Sequence, residues 1–523
     1  DTVENAVGFR YFQFDADEGV SLNGKKLKLC GVNQHIFYPG LGSAVPERYY
    51  DEEMRQLKQM GCNFFRTSHY PRPQYFLDLC DREGLLVMAE QPYWHGSVKS
   101  ENGEAAVANS TCTLRDLVRQ VGNHPSIILW NTVNEIAISP VYQQGIEHLS
   151  PEDPRREAWL QRSTEWPYMR RACATMVDTL KAADPTRPVS LIVGGAWDLN
   201  DQAGLPLIAD ITAYNGGACK LLEKEDIHER TGIPYDWPPK VYRQQYPEMR
   251  HIGSEGILNH FGVYRAEWEQ EMEQWKGQAW EWNEIYSHDW FSGIAMWVFS
   301  DYSSNGKLRW HVGGAVDRFR LPKSTYQFYR AMWHKDPFVH IPGHWNWQEG
   351  EERDIPVFTN ADTVELLLNG RSLGAGESMG DEWPHLPHPP LVWRGVRCEP
   401  GELVARACRG GQTVEHRLRT HGSANAIELD LLTPRIRPDG RDATYVTVRV
   451  TDKDGYLCRT WKGDVTADAS GAAYRTGPPT VNVRGGLGRF AIRSTGEAGE
   501  SRVIATADGL PDATIHVRCD ASV

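Results

Sequence analysis

Nowhere does this chain run apolar for long. Its longest such stretches, typified by Gly293-Ile-Ala-Met-Trp-Val-Phe299, stop far short of the ~20 residues a membrane helix needs. An excess of positive charge is missing too. Lys and Arg number 56 against 69 Asp and Glu, and the net charge of −13 argues against a nucleic-acid or anionic-membrane partner. Ten cysteines are scattered without CxxC pairs, so neither a zinc site nor a dense disulfide framework is signalled. Cys398 with Cys408, or Cys458 with Cys519, are nonetheless open to pairing in an oxidising compartment. The opening Asp1-Thr-Val-Glu4 has no initiator Met, basic region or apolar signal core, as expected of a processed or cut product. A secreted or periplasmic location is expected over a cytoplasmic one. What the chain has in quantity is tryptophan: 19 residues whose broad faces suit both a core and the apolar C–H patches of sugar rings.

At 523 residues the chain is too long for one ordinary core, and two to four domains are expected. Residues 25–337 alternate between short apolar runs and longer amphipathic stretches, the pattern of βα units around a parallel sheet. Eight runs read as strands: Leu27–Val32, Asn63–Thr67, Leu85–Ala89, Ile127–Asn131, Val189–Val193, Ile211–Tyr214, His251–Gly253 and Gly293–Phe299. Glu52–Met60, Tyr75–Glu83, Leu114–Val121, Met169–Ala182 and Tyr264–Glu281 read as helices between them. Eight such repeats over about 300 residues make a (β/α)8 barrel. Beyond it, short strands punctuated by Gly, Pro, Asn and Asp predict two immunoglobulin-like β-sandwiches, 338–424 and 425–523. Residues 1–24 read as a linker or the tail of a preceding sandwich. The Pro-rich stretch 380–390, with His385 and His388, reads as a solvated loop, and no metal or cofactor is expected.

Two glutamates carry the most information. Ile127-Ile-Leu-Trp-Asn-Thr-Val-Asn-Glu135 and His251-Ile-Gly-Ser-Glu255 are apolar runs that stop on a carboxylate. The C-terminal ends of barrel strands are where such barrels do chemistry. Two carboxylates on different strands are what acid-assisted glycoside cleavage requires: one protonates the leaving oxygen, the other attacks or activates water.

Several motifs resemble glycoside hydrolase family 2, which includes β-galactosidases, β-glucuronidases and β-mannosidases. They are Gly31-Val-Asn-Gln-His35, Phe65-Arg-Thr-Ser-His-Tyr-Pro71, Leu77-Asp-Leu-Cys-Asp-Arg-Glu-Gly-Leu-Leu-Val87, Asn123-His-Pro-Ser126 leading to Asn134-Glu135, and Gly253-Ser-Glu255-Gly. His344-Trp-Asn-Trp-Gln-Glu-Gly350 and the segments near Gly370, Gly440 and Gly455 resemble that family's C-terminal sandwiches. The resemblance implies a retaining exo-β-glycosidase with Glu135 as acid/base and Glu255 as nucleophile. It implies that Asn134 donates to the sugar 2-hydroxyl, that His69 reaches the sugar and that Arg66 supports the nucleophile. Tyr214 and Asn215 end strand six, where the family places a tyrosine on the nucleophile, and Trp297 resembles the tryptophan beneath the sugar. His35, Glu90, Trp94 and His95 follow strands one and three at the same face with open roles; Glu90 also reads as an ion-pair partner of Arg66.

Family glucuronidases carry an Asn-x-Lys pair for the sugar carboxylate. The corresponding stretch here, His311–Lys323, lacks it, and Asn305-Gly-Lys307 stands upstream of where it belongs. A neutral sugar, galactose first, is therefore expected. The alternatives are a glucuronide, a β-mannoside, an α-L-arabinopyranoside, or a barrel that binds carbohydrate without turnover. The charged insertion 136–167 is expected to shape the aglycone side. The family's N-terminal jelly-roll is not in this chain, so either an open, feeble site or a homo-oligomer that closes it is expected.

Overall fold

The computed structural model describes residues 7–92, 103–135, 153–155, 158, 165–194, 204–215, 238–256, 263–303 and 310–521. Eight parallel strands close into a barrel: β1 (Leu29–Asn33), β2 (Phe64–Arg66), β3 (Leu86–Glu90), β4 (Ile127–Asn131), β5 (Val189–Gly194), β6 (Ile211–Asn215), β7 (Arg250–Glu255) and β8 (Phe291–Met296). Each strand pairs with its neighbour in sequence, and β8 returns to β1 through Gly293↔Leu29 to Met296↔Val32. Strands β1, β3, β4 and β6 are buried at every position, as expected of parallel strands covered on both faces. Gly31 is dictated by this closure: a Cβ there would stand 2.5 Å from the Phe64 ring on the adjoining strand.

Helices alternate with the strands: α1 (Glu47–Met60), α2 (Gln74–Glu83), α3 (Gly103–Val121), α4 (Glu165–Ala183), α5 (Pro238–Gln245), α6 (Trp268–Tyr286) and α7 (Ser324–Trp333). Helix α1 buries Tyr50, Met54, Leu57 and Met60, a three-to-four-residue spacing that makes one apolar stripe. Gly61, left-handed at φ 90°, ends it by returning its N–H to the Leu57 and Lys58 carbonyls. Among the described residues no helix is long and apolar enough to cross a membrane.

The stretch before the barrel is a three-stranded antiparallel meander, Phe12–Asp15, Gly19–Leu22 and Lys25–Leu27. Its Phe14 and Val20 share one core with Leu29, Met88, Ile128, Ile192, Ile211, Ile252 and Ala295 of the barrel. By residue contacts the chain falls into two compact units. One holds Asp1–His35, Cys62–His260 and Glu281–Phe299, and with them all eight barrel strands; the other holds Ile36–Gly61, Phe261–Trp280 and Ser300–Val523.

Within the second unit, residues 339–419 form two four-stranded antiparallel sheets over a core that includes Val357, Leu366, Trp393 and Leu403. Residues 424–519 form a nine-stranded sheet folded over Val448, Val465, Phe490 and Val503. The Pro-rich stretch is less solvated than expected. His385 is exposed, but Trp383 and Leu386 turn inward, and Trp383 meets the Trp275 ring at 5.6 Å. Neither cysteine pair open to oxidation is joined. Cys458 points its thiol at the Gly422 and Tyr456 carbonyls and Cys519 at that of Ala472, while Cys398 and Cys408 are free.

Candidate active site

Buried parallel strands have no polar work to do along their length, so polar side chains collect where they end. Six strand ends of the barrel supply the cluster: Asn33 from β1, Arg66 from β2, Glu90 from β3, Asn134 and Glu135 just past β4, Asn215 from β6, and Ser254 and Glu255 from β7.

Arg66 is the hub. Its Nε donates to Glu90 Oε2 at 2.7 Å and its Nη2 to Glu90 Oε1 at 3.1 Å. Nη1 donates to Glu255 Oε1 at 2.8 Å, to Asn33 Oδ1 at 3.2 Å and to the Ser254 carbonyl at 3.1 Å. Nη2 also reaches Asn134 Oδ1 at 2.8 Å. Burial works against the guanidinium charge, but Glu90 and Glu255 outweigh it and raise the Arg66 pKa. Glu90 responds in kind. Burial alone would raise it, but Arg66 and His69 hold it down at about 2, so it is a fixed anion.

Glu255 sits in a different field. Burial raises its pKa and the charge of Glu135 raises it further, while Arg66 opposes both; the net direction is well above the ordinary carboxylate range. Two carboxyls in one such pocket hold a proton between them, which acid–base chemistry can draw on. Exposure separates the roles. Arg66 and Glu90 side chains are 0% exposed, whereas Glu255 is 15% exposed and Glu135 is partly exposed. Of these four side chains only the latter two carboxylates are open to a ligand, while Arg66 and Glu90 are closed off and meet their neighbours within the cluster.

Asn215 clamps the other carboxylate. Its Nδ2 donates to Glu135 Oε1 at 3.0 Å and to Asn134 Oδ1 at 2.9 Å, and its own Oδ1 accepts from Ser254 Oγ at 2.6 Å. Asn134 Oδ1 thus accepts from both Arg66 and Asn215, which orients its NH2 as the end left to donate to a ligand. Glu135 itself adopts φ 51°, a left-handed backbone that non-glycine residues seldom take and that clusters at functional sites.

Tyr214 is a correction. Side chains alternate along a strand, so with Asn215 facing the cluster its neighbour faces away. The Tyr214 hydroxyl is directed to His251 Nδ1 at 2.7 Å, and both residues are fully buried. Burial lowers the His251 pKa to about 3, so the pair is neutral. His69 does join the cluster: Nδ1–H donates to Glu90 Oε1 at 3.0 Å, and Nε2 lies 3.8 Å from Glu255 Oε1. Its ring stacks on Trp297 at 5.1 Å, and His35 meets both rings edge-on at 5.4 and 5.3 Å. Burial lowers the His69 pKa, against Glu90, which keeps the imidazole neutral. Trp94, His95, Asn305 and Lys307 lie outside the described residues, as does nearly all of the 136–167 insertion.

Sequence reasoning missed three supporting residues. Asn33 donates to the Ser254 and Ala295 carbonyls at 2.6 and 2.9 Å, stitching β1 to β7 and β8. Asn131 donates to Glu90 Oε2 at 2.9 Å, and Ser254 holds Asn215. Asn33 and Asn131 shared a signal, an amide as the last residue of an apolar run.

Comparisons with known proteins agree with this geometry. The glycosyl hydrolases family 2 TIM barrel domain matches residues 16–337, more than half of the chain. A domain of unknown function (DUF4982) matches 350–415, and the glycoside hydrolase family 2 C-terminal domain 5 matches 427–516. The β-galactosidase BoGH2A of Bacteroides ovatus is 27% identical over 570 residues, covering 99% of this chain and 64% of that protein. A β-glucuronidase of Formosa agariphila is 25% identical, over 99% of this chain and 50% of its own length. The chain thus spans between half and two thirds of these curated relatives. A β-glycosidase structure from Bacteroides vulgatus superposes with a TM-score of 0.73 at 23% identity, over 98% of this chain and 66% of that one. With its barrel matched end to end, this chain belongs to glycosyl hydrolase family 2.

Proposed function

We propose that the protein is a retaining exo-β-glycosidase acting on β-D-galactosides. The observation that carries this reading is the pair of open carboxyls at two strand ends: Glu255 takes a charge-assisted hydrogen bond from Arg66, and Glu135 takes an amide hydrogen bond from Asn215. Burial raises Glu255, but the Arg66 cation lies against Glu255 and favours the charged form there, so the proton that the pair shares is placed on Glu135 and the negative charge on Glu255.

In this reading the Glu255 carboxylate attacks the anomeric carbon, and Glu135 gives its proton to the departing glycosidic oxygen. Asn134 donates to the sugar 2-hydroxyl, a contact that strengthens in the transition state. Trp297 and His69 carry the ring. Covalent bonding removes the charge on Glu255, so Glu135 readily stays ionised and takes a proton from the incoming water. That water attacks the anomeric carbon, Glu255 leaves as carboxylate, and the sugar departs with retained configuration.

A neutral sugar is favoured because the stretch His311–Lys323 lacks the Asn-x-Lys pair expected of a glucuronidase, and its own lysine, Lys323, is committed elsewhere. Its Nζ is buried against Asp301 at 2.7 Å and the Val263 and Val312 carbonyls at 2.7 and 2.8 Å. Relatives named β-galactosidase and β-glucuronidase both match the chain, so the sugar needs a direct test. On a panel of nitrophenyl glycosides the galactoside should give the highest kcat/KM. A glucuronide preferred by tenfold or more would sink the assignment and point to Lys307. The roles are tested with azide. Glu255→Ala should yield a glycosyl azide of inverted configuration, and Glu135→Ala, on substrates with good leaving groups, one of retained configuration. The opposite pairing would exchange the two roles.

A further inference from the structure

In a chain of net charge −13, a cleft of about 220 Å³ among the described residues has four arginines in its lining, Arg265, Arg318, Arg484 and Arg489. Its lining includes Tyr264, Arg265, Phe319, Asn482, Arg484 and Arg489, all within the second compact unit. Asp301 and Asp317 also line it, but each is already held by a cation, Lys323 at 2.7 Å and Arg265 at 3.0 Å. Arg484 is matched by Glu267 at 2.6 Å.

Arg489 is different. Its Nε donates to Thr447 Oγ1 at 3.0 Å and its Nη1 to the Phe319 carbonyl at 2.9 Å, both neutral acceptors. Among the described residues no carboxylate forms an ion pair with it. Burial lowers its pKa, with Asp317 as the main opposing charge. A partly buried cation without an anion of its own is costly and is offset when a ligand supplies one. Beside it, Tyr264 stays 44% exposed with the Arg484 guanidinium 4.7 Å from its ring centroid. A part-exposed aromatic ring with guanidinium groups beside it suits a ring with C–H patches and an acidic substituent. The volume lies below the ~300–1,000 Å³ of drug-sized pockets, which fits one sugar residue rather than a chain of them.

We propose that this cleft binds an anionic saccharide residue, its ring on Tyr264 and its acidic group, a uronate carboxylate or a sulfate ester, on Arg489 and Arg484. The site goes beyond the glycosidase reading and does not depend on it.

Calorimetric titration of the whole chain with galacturonate, galactose 6-sulfate and neutral galactose tests it. At least one acidic sugar should bind about tenfold more tightly than galactose, and more weakly as salt is added. Whichever binds identifies the group. Tyr264→Ala, at an exposed position, and Arg484→Gln, at a part-exposed one, should each weaken that binding several-fold and leave nitrophenyl glycoside hydrolysis unchanged; Glu255→Gln should keep acid binding. Equal affinity for galactose, no binding of either acid, or binding that survives the two cleft variants would overturn the proposal. Loss of acid binding in Glu255→Gln alone would move the acidic sugar to the catalytic pocket.

Discussion

The two ends of the barrel use the same residue types to opposite effect. At the N-terminal ends of the strands, Asp81 takes His124 Nδ1 at 2.6 Å and the Ser126 N–H at 2.9 Å. Asp184 there takes Trp130 Nε1 at 2.9 Å and Arg187 Nη1 at 2.5 Å, while Arg187 also donates to the Ile127, Gly122 and His124 carbonyls. Burial would raise the Asp184 pKa, but hydrogen bonds from Thr186, Trp130 and Arg187 win and hold it at about 2. At the C-terminal ends Glu255 is pushed the other way, by burial first and then by Glu135 in the same pocket, against Arg66. Satisfied carboxylates hold loops to strands; a carboxylate left partly open and beside another is available for chemistry.

That contrast can be broken from either end. The largest expected effect is Glu255→Gln, which should reduce kcat by on the order of 10⁴-fold or more, as loss of a catalytic nucleophile does, with the thermal melt little changed. Substantial residual turnover would remove Glu255 from the nucleophile's place. Asn215→Ala should come next. Releasing Glu135 from its clamp should cost roughly 10²-fold in kcat on substrates with poor leaving groups, and much less on activated ones. An equal loss on both would mean that Asn215 serves the sugar rather than the acid.

Asp184→Asn, at the opposite end, should lower stability by about 1–3 kcal/mol in denaturant titrations and leave kcat/KM alone. Because the folded-state pKa of Asp184 lies at about 2, below the ordinary value, its contribution is complete above that ordinary value and is lost as pH falls toward 2. The variant's melt should therefore respond less to acid over that window than the parent's. The smallest effect concerns pH. Glu135→Gln removes the group placed as proton donor, so the alkaline limb of the rate profile should disappear while the acidic limb, set by Glu255, stays in place. A surviving alkaline limb would show that a group other than Glu135 supplies the proton.

Much of this architecture was legible in the amino-acid order. The eight expected strands lie within three residues of the observed ones at either end, because strands buried on both faces read as unbroken apolar runs. Helix α3 was seen only from Leu114 although it begins at Gly103, since its first two turns are built from Ala, Asn, Ser and other weakly apolar residues that draw no stripe. Glu135 and Glu255 were legible for the same reason as the strands: each stands where an apolar run gives way to charge.

What the order of residues determined by itself was thus the run of each strand and the carboxylates beyond two of them, both local properties of a few consecutive side chains. Which group each polar side chain meets was decided only by closure of the barrel. Arg66 reaches Glu255 across 189 residues, and Asn215 reaches Glu135 across 80. Tyr214 and Asn215 were indistinguishable as candidates until strand pairing set which of two adjacent side chains faces inward. A parity of one residue sends the hydroxyl to His251 and the amide to Glu135. Such contacts depend on the register between strands far apart in the chain, and no local pattern encodes that register.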